Sequence, residues 1–180
     1  MKKAILILTA LIVATVSLAQ KKTTTSATIT FDATTSLDAK PKAENKTVIA
    51  ALDTKDGTVQ FEATIKNFSF ANPTMQEHFN GKGWMDSDQF PSATFKGKIA
   101  DINSFDLSKD GTYNVNVGGD LTIHGVTKSI VTPAVITVTG GKINATANFT
   151  IQIADYNIDA PQVAAGKVSK VPKVSVSASF

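Results

Sequence analysis

The chain of 180 residues has no cysteine and no arginine, and holds only two histidines, one tryptophan and two tyrosines. Without thiols there is no disulfide framework and no thiolate to act as nucleophile or metal ligand, so stability must come from an ordinary hydrophobic core. A lipid anchor on a cysteine at a processing site is excluded for the same reason. Without arginine, a nucleic-acid reader would lack the bidentate group that suits phosphates and guanine edges. The two imidazoles, His78 and His124, make a poor metal set. Glu77 and His78 are adjacent, so on a helix they diverge rather than chelate. His124 falls on the polar face of its strand, just before Gly125, and reads as a turn or rim residue. Asp86 and Asp88 flank Ser87, a pattern commoner in caps and turns than in catalytic carboxylate pairs. No nucleophile elbow, phosphate loop or dinucleotide fingerprint occurs. These absences leave no catalytic constellation, no metal and no cofactor to expect.

The first residues read as an export signal. Lys2 and Lys3 form a positive head, Ala4 to Val16 is apolar but for Thr9 and Thr15, and Ser17-Leu18-Ala19 supplies the small residues a signal peptidase reads. The apolar run is short for a bilayer span, which takes ~20 residues. The expectation is a cleaved signal over residues 1–19 and one mature domain over 20–180, periplasmic or secreted. Removing Lys2 and Lys3 leaves 16 lysines against 15 acidic residues, a net charge of +1. The basic pI of about 9.0 is therefore no argument for nucleic acid. Such a product would be soluble, touching membranes at most transiently, and its oligomeric state stays open.

Down the mature chain apolar and polar residues alternate with a period of two, the mark of strands with one buried face. Tyr113, Val115, Val117, Leu121 and Ile123 alternate with Asn114, Asn116, Asp120 and Thr122; Ile143 to Ile153 and Val174 to Phe180 repeat the pattern. Shorter runs lie at Ala27 to Phe31, Val48 to Leu52, Val59 to Ile65, Phe95 to Ile99 and Val126 to Val138. Asp56-Gly57, Asp110-Gly111, His124-Gly125 and Gly140-Gly141 punctuate them as turns. About eight strands, several long, suit an all-β, antiparallel up-and-down barrel, with a two-sheet sandwich as the other arrangement.

One segment breaks the rhythm. Asn72-Pro73 opens a short helix, PTMQEHFN, that Gly81 closes, and GKGWMDSDQFP after it is irregular. Yet six of the thirteen aromatic residues fall between Phe68 and Phe95, whereas surface loops are usually polar. Such a segment must bury itself, as a lid over a pocket or as a plug in one end. Inward strand positions are often small (Ala50, Ala63, Gly97, Gly119, Ala145, Ala147), which fits either a lumen or close-packed neighbours. By parity, Phe61, Ile65, Tyr113, Leu121, Phe149 and Ile151 are the candidate lumen residues. By aromatic clustering, Phe79, Trp84, Met85 and Phe90 are the candidates to cover an opening.

Two central motifs, MQEHFNGKGWMDSDQFPSATFKGKI at 75–99 and GDLTIHGVTKSI at 119–130, together with the ending ADYNIDAP…KVSKVPKVSVSASF at 154–180, resemble the YceI-like family. The resemblance spans nearly the whole mature chain. It implies an eight-stranded, lipocalin-like antiparallel barrel with a tunnel for a long polyisoprenoid chain, such as a quinone or prenyl lipid; the missing catalytic constellation adds the expectation of no enzymatic activity. The chain departs from longer members by lacking a histidine-bearing first strand and by carrying HF and MDS where those have an arginine–aspartate pair. It looks like a shorter variant. Two other readings stand beside lipid binding. One is a plugged barrel serving as an interaction or stress-related structural module. The other is a lipid-modifying enzyme built from Asp86, Asp88, His78 and His124.

Overall fold

The computed structural model describes residues 21–180, so the expected signal segment lies outside the described residues. The alternating runs become β1 (Lys21–Asp32), β2 (Lys42–Asp53), β3 (Thr58–Thr64), β4 (Ser69–Phe70), β5 (Ser92–Ile99), β6 (Gly111–Ile123), β7 (Val126–Thr139), β8 (Lys142–Thr150) and β9 (Lys173–Ser179). Two helices, α1 (Pro73–Asn80) and α2 (Pro161–Ala164), lie in the connections. Helix α1 begins where the sequence signals it. The Asn72 side chain accepts the Thr74 N–H, Pro73 occupies the first turn, and Gly81 closes the far end.

All wall pairings are antiparallel, in the order β1-β9-β8-β7-β6-β5-β3-β2, and β1 pairs with β2 to close the ring. The result is an eight-stranded up-and-down barrel, not a sandwich. The two-residue β4 adds a rung to β2 and belongs to the excursion between β3 and β5 that carries α1. Tight hairpins join β6 to β7 through His124-Gly125 (φ 50° and 73°) and β7 to β8 through Gly140-Gly141 (φ 56° and 79°). Paired positive φ values match the right-handed twist of the flanking strands. Asp110-Gly111 is different: Gly111 opens β6 after a longer connection, and the Asp110 carboxylate accepts the Gly140 N–H at 2.9 Å.

Two of the small inward residues shape the wall instead of the lumen. Gly97 and Gly119 are cross-strand partners on β5 and β6. A Cβ on Gly119 would overlap the Gly97 Cα and the Lys96 carbonyl oxygen, and one on Gly97 would meet the Phe95 ring at 2.6 Å. The backbones approach too closely for any side chain there. Inside the barrel the buried side chains form two clusters. One, around Phe68, Phe79, Met85, Ile151 and Ile153, lies at the α1 end, and the other, around Leu52, Ile99, Val117, Ile136 and Ile143, lies at the opposite end. Phe61, Phe95 and Phe180 pack against both.

Candidate ligand-binding site

Between the two clusters runs an apolar cavity of about 180 Å³. Its walls come from all eight barrel strands and from the segments that close the α1 end. Among the described residues that line it, Thr94, Thr132 and Thr146 carry the only hydroxyls, and Met85 adds a thioether. Thr94 and Thr146 occupy outward positions by register, opposite Thr122 and Val135. Thr132 points in; it is 5% exposed, and its hydroxyl donates to the Pro133 carbonyl oxygen at 3.2 Å. Among the described residues, no charged side chain lines the cavity. A water molecule needs two to four polar partners to be held, so this space suits hydrocarbon.

Eight of the ten residues singled out by parity and clustering line it: Phe61, Ile65, Phe79, Trp84, Met85, Leu121, Phe149 and Ile151. The Phe79 ring is the centre of an aromatic group, 5.0 Å from Phe70, 5.8 Å from Phe68 and 6.1 Å from Phe31. It hangs α1 across the barrel end. Trp84 is half-buried beside it, its indole N–H donating to Gln162 Oε1 at 3.2 Å. That bond ties the irregular segment to α2. Met85 is buried beneath, with its backbone N–H bonded to the Phe79 carbonyl.

Two expectations are corrected. Tyr113 shares the inward parity of Val115 and Val117 but stands at the end of the barrel, outside the cavity wall. Its hydroxyl donates to the carbonyl oxygens of Asp106 and Lys109 and its ring packs edge-on against Phe105. It closes that end. Phe90 covers the β6–β7 turn from outside the cavity wall, edge-on to His124 at 4.5 Å and close over Gly125. Ile29, Phe31, Phe95, Ile136, Val176 and Phe180 also line the cavity and were not among the candidate lumen residues. All sit in alternating runs, so parity was the signal that could have found them.

None of the four polar candidates for chemistry reaches the lumen. His78 is exposed on α1, and Asp86 sits in a turn at φ 41°. Asp88 is exposed and paired with Lys66 at 2.6 Å, which holds its carboxyl below the usual range. His124 Nδ1 lies 3.1 Å from the Tyr156 carbonyl oxygen, so that nitrogen carries the proton. Burial raises the Tyr156 phenol, and neighbouring Asp155 adds to the effect. Among the described residues, no three His, Cys, Asp or Glu side chains gather as a metal set, and no helix is long and apolar enough to cross a membrane.

A family model described as a YceI-like domain matches residues 11–180. Among solved structures, the chain is similar to a polyisoprenoid binding domain from Saccharophagus degradans implicated in plant cell wall breakdown. That match has 14% identity and a TM-score of 0.73, and covers 88% of this chain and 95% of that one. It is also similar to BcnA of Burkholderia cenocepacia, at 17% identity and TM-score 0.69 over 86% and 96% of the two chains. A third is a YceI protein of Campylobacter jejuni, at 19% identity and TM-score 0.54 over 74% and 80%. At these identities the likeness is one of fold. No curated protein matches the sequence.

Proposed function

The chain belongs to the YceI-like family, and from that premise we propose that it is an exported, non-enzymatic binding protein whose lumen holds a long apolar chain of the polyisoprenoid class. The observation that carries this reading is the cavity itself: among the described residues no charged side chain lines it, and its walls are aliphatic and aromatic groups. A ligand there needs no polar recognition. Each CH₂ withdrawn from water contributes ~0.8 kcal/mol before the costs of ordering the chain. Affinity then grows with length, and specificity for a headgroup is loose. The cavity extends beneath Phe79, Trp84 and Met85, which supports a lid over a lumen rather than a plug.

Displacement of a bound fluorescent isoprenoid alcohol, all-trans-retinol, by geraniol, farnesol and geranylgeraniol tests the reading. Displacement should strengthen with each added isoprene unit until the lumen is full. Equal weak displacement by all three, or no retinol binding, would count against it. Export rests on Lys2, Lys3, the apolar run and Ser17-Leu18-Ala19. N-terminal sequencing of the protein from a periplasmic or culture-medium fraction should begin at Gln20, and recovery of an intact N-terminus from the cytoplasm would contradict it.

A further inference from the structure

In the barrel wall the β7–β8 pairing stops short of the strand ends. Strand β7 begins at Val126 and β8 runs to Thr150, yet their pairing stops at Ala134↔Ala147. The cause can be read from the directions in which backbone groups point. In an antiparallel strand successive residues turn their N–H and C=O to opposite neighbours. Ile143 and Phe180 exchange backbone bonds at 3.1 and 2.8 Å, so odd-numbered residues of β8 face β9 and even-numbered ones face β7. The Ala100 N–H donates to the Asn116 carbonyl at 2.8 Å, so Asn116 faces β5. Its partner on β7, Pro133, therefore turns its nitrogen and carbonyl toward β8.

The next rung after Ala134↔Ala147 would join Pro133 to Asn148 by a reciprocal pair of bonds. Proline has no N–H to give, and the rung is missing. The Pro133 carbonyl takes the Thr132 hydroxyl in its place. Beyond the seam, the turn Ile153–Tyr156 packs on β7.

The wall at the seam is thin. An outer groove lies along β6, β7 and β8, and three of its residues, Ala134, Thr146 and Ala147, also line the lumen. Its lining is uncharged, with Asn114, Asn116, Thr146 and Asn148 beside Pro133 and Val135. Val131 is 76% exposed and Val135 38%, with Pro133 between them on the same face. Their partners on β6 are Gly118, Asn116 and Asn114. Val131 is the most exposed large hydrophobic side chain among the described residues.

We propose that the β7–β8 seam at Pro133 is a lateral entrance, through which an apolar chain slides between the groove and the lumen as the last rung parts. This rests on the lumen being the ligand site. Opening breaks only the reciprocal bonds of Val135↔Thr146, because Ala134 and Ala147 turn their backbone groups away from the seam and Pro133 cannot pair. The α1 lid can then stay in place during loading.

The absence of cysteine from the chain makes the test direct. Val135→Cys with Thr146→Cys places a disulfide across the seam on its outer face. Paired residues in a ladder have Cα atoms ~5.5 Å apart, within the range a disulfide spans. Ile49→Cys with Glu62→Cys, a β2–β3 pair on the far side of the barrel, is the control. Stopped-flow fluorescence follows uptake and release of all-trans-retinol. Relative to the reduced form of the same variant, the seam disulfide should slow both rates roughly ten-fold or more, because a rung that must open is held shut. Reduction should restore the rates, and the control disulfide should leave them as they were.

Pro133→Val, which returns the missing N–H, should slow both rates without any cross-link. Unchanged rates in both seam variants, or equal slowing by the control, would overturn the entrance while leaving the lumen reading intact. Failure of the unaltered protein to bind retinol would overturn both.

Discussion

Replacing Ala145 by leucine distinguishes an open lumen from a packed core. Ala145 lies on β8 between Ile136 and Ala178, faces inward and lines the cavity. Leucine adds three carbons, worth ~2.4 kcal/mol at ~0.8 kcal/mol each if they fill empty space. Fixing the leucine rotamer costs ~0.5–1 kcal/mol. The ligand-free protein should therefore gain ~1.5 kcal/mol, which for a domain of this size raises Tm by ~3–6 °C. The same three carbons exclude an equal length of ligand chain, so retinol should bind about fifty-fold more weakly. Urea unfolding followed by circular dichroism and a fluorescence titration measure the two effects on one sample. Stability falling by ~1–3 kcal/mol, the usual result of overpacking, together with unchanged binding would refute the cavity.

Phe79→Ala removes the ring that holds α1 across the barrel end against Phe31, Phe68 and Phe70. It should cost ~3–5 kcal/mol in urea unfolding, and a loss under ~1 kcal/mol would contradict that role. Gly119→Ala forces a methyl into the Gly97 backbone and should cost ~1–3 kcal/mol, with broadened amide signals at Lys96 to Lys98. The Ser108 hydroxyl, followed by Lys109 and the Ser108 N–H, holds the Asp106 carboxyl at about 2. Since that value lies below the ~3.9 of an unfolded aspartate, its contribution to stability is present above ~3.9 and is lost as pH falls toward 2. An NMR titration of the carboxyl with a midpoint near 4 would contradict this. Retinol affinity should be flat from about pH 4 to 8, because among the described residues no ionisable side chain lines the lumen.

Most of the barrel was legible because alternation fixes which face of a strand is buried. Phe61, Leu121, Phe149 and Ile151 could be placed in the wall by counting residues, and Asn72-Pro73 with Gly81 marked the ends of α1. Parity does not say where along the axis a residue falls, so Tyr113 was placed in the lumen although it closes the barrel end. Phe90 lies in irregular chain, where there is no period to read, and only the fold brings it onto Gly125. Gly97 and Gly119 look alike whether they widen a lumen or let two backbones meet, and their cross-strand register decides for the second. Pro133 sits inside a run that reads as one uninterrupted strand. Its effect depends on which neighbour its nitrogen faces, and that is a property of the closed sheet. Helix α2, only four residues long, leaves no periodic trace.

The most direct test of the central claim is to purify the protein from its native host, extract it with organic solvent and identify the extract by mass spectrometry. The account predicts a lipid with a long isoprenoid chain, near one per protein molecule, absent from a parallel Ala145→Leu preparation or much reduced there. Repeated extracts without lipid, from protein whose crystal structure shows side chains filling the lumen, would contradict it.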